Sequence, residues 1–261
     1  MSLTPVSISA SSFGADLIRQ QGHQPFAELA ARAGASTFEV REELLPEAPN
    51  LPALGQAIAA LGLGCVYSSP LELWQAGSNA PALALAHTLA QAQACGAQWL
   101  KVSLGHYTPN ADLKALAALL AEQPVQLLVE NDQTAQGGRV EPLVQFFTAA
   151  GVRQVPVAMT FDIGNWQWQA QSALGAAAQL GQYVRYVHCK GVRLASSGKL
   201  VAVAPSLIEL NQWPRLLQRM PNAQLRAIEY PLQGDDLLAL TRAEVARLAA
   251  LGQPLAVAQE A

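Results

Sequence analysis

Four short segments each close an apolar run with an ionisable side chain: Glu130 in "LLVEND", Asp162 in "MTFDIGNW", His188 in "YVHCKG" and Glu229 in "RAIEYP". Singly, each has an ordinary explanation, because strand-end carboxylates often cap the following helix. Together they form a ligand set of three carboxylates and one imidazole, suited to a divalent cation. If the four segments are neighbouring strands, about 4.8 Å apart, their inward side chains converge at about the same height. Carboxylates that close repel one another unless they are protonated or neutralised by a cation. The expectation is one divalent metal ion held by Glu130, Asp162, His188 and Glu229, its identity open among Mn2+, Mg2+, Co2+ and Zn2+.

The elements that would position these residues are legible as an alternation. β-rich runs fall at residues 5–11, 36–42, 64–69, 99–105, 125–131, 157–163, 184–190 and 224–230. Between and after them lie eight alanine- and leucine-rich stretches, such as "PFAELAARAG" and "ADLKALAALLAEQ", with apolar residues at three- and four-residue spacing. Several end in glycine, as a helix C′ position prefers, and "ADLK" and "GDD" supply capping acids. Eight strands alternating with eight helices predict a single (β/α)8 TIM barrel. An open doubly wound sheet is the weaker alternative, since no GxGxxG turn is present. No linker or low-complexity segment interrupts the pattern, so residues 1–261 are expected to form one domain, with only 256–261 fraying.

The net charge of -3, without a basic cluster, argues against nucleic acid and against an anionic membrane surface as partners. The N-terminal stretch lacks the basic and apolar regions of a signal peptide, and no apolar run approaches a membrane span. Cys65, Cys95 and Cys189 contain no CxxC and suggest neither a disulfide framework nor a zinc knuckle. A cytoplasmic location is expected.

The chain resembles the xylose-isomerase-like TIM-barrel superfamily of sugar and sugar-phosphate isomerases and epimerases. "VEND", "FDIGNW", "VHCKG" and "AIEY" resemble the segments that carry its Glu, Asp, His, Glu metal tetrad on strands five to eight, spaced here by about 30, 26 and 40 residues. "STFEVREELL" resembles its second strand, with Glu39 matching an inward glutamate. There are departures: Gly191 stands where many members have Asp, and "SSGKLVAVAPSLIEL" replaces a Gly-x-Gly turn. Asn165 stands where ketohexose epimerases and dehydratases have His.

The resemblance implies a metal-dependent isomerase or epimerase of ketoses, working through a metal-stabilised enediolate. Two positions left open on an octahedral ion would chelate a carbonyl oxygen and the adjacent hydroxyl. Glu130 and Glu229 then serve both as ligands and as the acid–base pair. Asp162 and His188 are simpler ligands, and the imidazole requires an orienting acceptor that the sequence does not identify. Substrate contacts are expected from His106, Asn165, Trp166, Lys190, Arg193 and Glu39, on a small-molecule sugar or sugar phosphate. Two other functions use the same residues: a dehydratase of the dehydroshikimate or inosose type, and a sugar-binding barrel without catalysis. A homo-oligomer is compatible with either.

Overall fold

Alternation along the strands sorts the side chains of this protein to two sides of a closed wall. The computed structural model describes residues 3–252. Its parallel strands are β1 (Val6–Ser9), β2 (Thr37–Arg41), β3 (Gly64–Trp74), β4 (Trp99–Gly105), β5 (Gln126–Glu130), β6 (Val157–Asp162), β7 (Val184–Cys189) and, after a hairpin, β10 (Leu225–Ile228). They close in the order β1-β10-β7-β6-β5-β4-β3-β2. The predicted (β/α)8 barrel is therefore the observed fold. The tail expected to fray lies outside the described residues.

Outward residues such as Phe38, Leu100, Val129, Phe161 and Val187 pack against the surrounding helices in one large core. Inward residues divide by height. Val66, Leu128, Ala158, Tyr186, Leu225 and Ala227, with Trp99 against them, fill the lower barrel. Above them the same faces turn polar, with Ser9, Glu39, Lys101, Thr160 and His188 all buried. The lower layers are thus an apolar plug that dries the floor beneath a charged upper ring.

The helices are α1 (Ala15–Gln21), α2 (Gln24–Arg32), α3 (Leu51–Ala60), α4 (Leu85–Ala94), α5 (Leu113–Leu120), α6 (Val140–Val152), α7 (Ala173–Leu180), α8 (Leu207–Leu217) and α9 (Leu237–Ala250). The capping acids of "ADLK" and "GDD" act as expected: Asp112 accepts from the Ala115 N–H and Asp236 from the Ala239 N–H. Gly34, Gly62 and Gly96 follow helices at φ +88, +74 and +67, where other residues are strained.

Two elements depart from the sequence pattern. The strand expected over 64–69 continues to Trp74 through a register irregularity between Ser68 and Glu72. Pro70, which has no N–H to give a ladder, sits at that break. After β7 the chain forms an antiparallel hairpin of β8 (Gly191–Leu194) and β9 (Leu200–Val203). A Cβ on Gly191 would lie 3.0 Å from Glu209 Oε2 and 3.1 Å from the Ala204 carbonyl, which explains glycine in place of the acid.

Candidate metal centre

Strand register sets the heights of the candidate ligands, and they are staggered rather than level. Glu130 pairs with Thr160, Asp162 with His188, and His188 with Ala227, two residues before Glu229. The stagger follows from the shear of a closed barrel. Side-chain length compensates for it. Glu130, Asp162, His188 and Glu229 each offer one ligand atom, and these atoms lie within 4.8 Å of one another.

His188 Nδ1 is the hub, 3.0 Å from Glu130 Oε1, 3.0 Å from Glu229 Oε2 and 3.8 Å from Asp162 Oδ2. These approaches are not aligned as hydrogen bonds. His188 Nδ1 and Glu130 Oε1 are buried without an aligned hydrogen bond, and Asp162 Oδ2 has only the ammonium of Lys190, at 2.7 Å. Buried polar atoms are ordinarily satisfied, and a metal cation is the partner that four ligand atoms converging on one point would share. That convergence is the test of whether the residues fit a metal, and they fit it.

The surroundings fix each ligand. Asp162 Oδ1 accepts the backbone N–H groups of Gly164 and Asn165, both at 2.9 Å, which turns Oδ2 inward. Asn131 clamps the same strand end, donating to the Asp162 carbonyl and accepting its N–H. The orienting acceptor for the imidazole is Glu39, whose Oε2 is 2.9 Å from His188 Nε2. Glu39 in turn accepts from Tyr186 and Ser9. With Nε2–H donating to Glu39, Nδ1 is the nitrogen that would face a metal, giving up its proton on binding one.

The premise that the carboxylates lack counter-ions is corrected by the structure. Lys101 Nζ is 2.6 Å from Glu130 Oε2, Arg41 Nη1 is 2.9 Å from Glu229 Oε1, and Lys190 Nζ is 2.7 Å from both Asp162 Oδ2 and Glu229 Oε2. Three side-chain cations therefore interleave with the carboxylates of Glu39, Glu130, Asp162 and Glu229. What favours a metal is the convergence of the four ligand atoms, not unrelieved repulsion.

Titration follows from the same contacts. Burial favours a neutral Glu39, but Lys101 and His188 hold it down to about 2. Burial raises Asp162 to about 7 against the pull of Lys190, with Glu229 and Glu130 adding to the rise. Burial opposes a charge on His188, yet Glu229 and Glu39 outweigh it and raise its pKa well above the usual value. Glu229 is held well below the usual carboxylate range, burial being outweighed by His188 and Lys190.

Above these residues opens a cavity of about 320 Å3, lined by Arg41, Glu130, Asn165, Lys190 and Glu229 with the 132–134 loop. Of the six expected substrate contacts, it takes in Asn165 and Lys190. Glu39 is fully buried against His188 Nε2 and is not among the residues that line the cavity. Trp166 is also fully buried, its ring tilted against Phe161, so it packs outside the barrel wall and presents no face to a sugar. Arg193 is exposed on β8 and His106 is exposed beside Glu72, both outside the cavity lining. Arg41 and Lys101 were not singled out in the sequence. Both carry a readable signal, as charges in period two with Glu39 and with Trp99 on the inward faces of otherwise apolar strands.

No family model and no curated protein matches the sequence. Solved structures do match. A xylose isomerase domain containing protein from Salmonella typhimurium LT2 aligns over 97% of this chain and 100% of its own, with TM-score 0.70 and 16% identity. A D-psicose 3-epimerase with D-tagatose, from Clostridium cellulolyticum H10, aligns over 97% and 100%, with TM-score 0.66 and 12% identity. The IolI protein with a binding zinc atom aligns over 97% and 100%, with TM-score 0.68 and 11% identity. The fold is that of the xylose isomerase-like TIM-barrel proteins.

Proposed function

We propose that the protein is a divalent-metal-dependent isomerase or epimerase of a ketose or ketose phosphate. The observation that carries this reading is the convergence of one ligand atom each from Glu130, Asp162, His188 and Glu229, within 4.8 Å of one another at the floor of a polar cavity. The likeness to a sugar epimerase fold supports it. Glu130, Asp162, His188 and Glu229 would hold a divalent ion, and the chemistry it would supply when bound is Lewis-acid polarisation of a substrate carbonyl.

The four ligands divide by access. The side chains of Glu130 and Glu229 are 12% and 11% exposed, whereas those of Asp162 and His188 are fully buried. The glutamates alone among the four can meet substrate, which suits them to move protons. One takes a proton from the carbon beside the carbonyl. If the other returns a proton to the opposite face, the centre inverts; return to the adjacent carbon transfers the carbonyl instead. Asn165, Lys190 and Arg41 supply donors for substrate hydroxyls from the cavity wall.

The test is incubation with Mn2+ in D2O and a panel of free and phosphorylated pentuloses and hexuloses, read by NMR. Deuterium at the carbon beside the carbonyl, with the epimer or isomer appearing, is the expected result. Loss of water from a polyol ketone or dehydroshikimate, without exchange into any ketose, would move the assignment to a dehydratase. Binding with no chemistry would leave a sugar-binding barrel.

A further inference from the structure

Three cations touch the candidate ligands, and they do not touch the same oxygens. Lys101 bonds Glu130 Oε2, while Oε1 is the atom facing His188 Nδ1. Arg41 bonds Glu229 Oε1, while Oε2 faces His188 Nδ1. Both approach the outer oxygen of their carboxylate and leave the converging one free. Lys190 does the opposite. Its Nζ is 2.7 Å from Asp162 Oδ2 and 2.7 Å from Glu229 Oε2, two of the converging atoms themselves.

A divalent ion sits at roughly 2.0–2.6 Å from carboxylate oxygens, so it and the ammonium would share two ligands at a few ångströms' separation. Like charges that close repel strongly where little water screens them, and Lys190 is only 5% exposed. The lysine stem is pinned: a Cβ on Gly164 would lie 2.8 Å from Lys190 Cγ, so the chain at 164 admits nothing larger than glycine under it. The head has somewhere to go, because Lys190 also lines the cavity.

We infer that Lys190 is a displaceable internal counter-ion, which holds Asp162 and Glu229 together, yields both to the divalent ion, and then presents its ammonium to the cavity. The inference rests on the metal reading given above. It gives one residue two successive partners, carboxylates first and a substrate oxygen afterwards.

The test titrates the full chain with Mn2+, reading free Mn2+ by electron paramagnetic resonance, for the wild type, Lys190→Met and Arg193→Met. Arg193→Met removes a nearby exposed charge without touching the oxygens. Lys190→Met should bind Mn2+ at least tenfold more tightly than the wild type, with Arg193→Met within twofold of it. The metal-free Lys190→Met protein should melt lower than the wild type and gain more from added Mn2+. Equal or weaker Mn2+ binding by Lys190→Met, while the wild type binds, would overturn the inference and leave the proposed function standing. No Mn2+ bound by either protein would remove both. A second measurement needs no variant: reductive methylation of wild-type Lys190, followed by mass spectrometry, should accelerate severalfold on adding Mn2+. An unchanged rate would count against displacement even if Lys190→Met failed to fold.

Discussion

The two halves of the barrel mouth do different work. The half built from β5, β6, β7 and the chain after β10 supplies Glu130, Asp162, His188 and Glu229, whose candidate ligand atoms converge. The half built from β1, β2 and β4 supplies Glu39, Arg41 and Lys101, which bond His188, Glu229 and Glu130, and Ser9, which donates to Glu39. Glu39 shows the division best, reaching across the barrel to fix an imidazole from the opposite wall. The ligand constellation thus leans on a second set of polar side chains, two of them cations, and the closed sheet lets the two be built on separate strands.

The largest expected effect belongs to the ligand half. Glu229→Gln or Glu130→Gln should lower kcat/KM by about 10^3–10^4-fold or more, since each removes an acid–base group and a metal ligand together. Steady-state rates on the substrate found by the deuterium assay check this. Retention of a tenth of the activity by both variants would erase the distinction between the halves.

The next effect belongs to the supporting half and concerns stability. Lys101→Met leaves Glu130 and Glu39 buried with one cation fewer. Breaking a buried pair from one side costs about 3–5 kcal/mol. Urea unfolding of the metal-free protein reads it. A loss below about 1 kcal/mol would mean that the supporting charges are not needed to hold the ring.

A third expectation places a pH dependence in the same half. His23 is buried, its Nε2 accepts the backbone N–H of Arg41, and burial lowers its pKa from 6.5 to about 4. The unfolded chain binds the proton first as the pH falls, so this contribution is whole above 6.5 and is lost on the way down to about 4. A shift of that size corresponds to about 3 kcal/mol. Urea midpoints at pH 7, 5.5 and 4 should fall more steeply for the wild type than for His23→Gln. Parallel slopes would remove His23 from the supports of β2.

The ligand half was the legible one. Each of its residues ends an apolar run, and a charge at such a place is visible without knowing which strands are neighbours. The supporting half was legible only in part, because period two gives the face of a residue and not its depth. Glu39 was found on the inward face and given a sugar to hold; its true partner, His188, comes from a strand 149 residues away in sequence. Lys101, set between Trp99 and Ser103 on an inward face, was readable but has meaning only beside Glu130. Trp166 misled for the reverse reason. Its closeness to Asp162 in sequence says nothing of the direction its ring takes after the turn. The hairpin of β8 and β9 is antiparallel and separate from the barrel, so the strand–helix alternation leaves no place for it.

The smallest effect is the most discriminating. Glu39→Gln keeps an oxygen that can accept from His188 Nε2–H but removes the charge that polarises the ring. Substitutions of such an outer partner commonly cost 10–100-fold in metal affinity, which is about 1.4–2.8 kcal/mol. Glu39→Ala removes the acceptor as well, so Nε2–H no longer fixes which nitrogen faces the other ligands, and its loss should be greater. Mn2+ affinity for the two variants, with KM and kcat for the identified substrate, separates positioning from contact. If Glu39 orients the imidazole, metal affinity falls in the order wild type, Gln, Ala, and KM at saturating metal changes little. Were Glu39 instead a substrate contact, KM would rise severalfold in both variants with metal affinity unchanged, and the supporting half would have to be redrawn as part of the cavity.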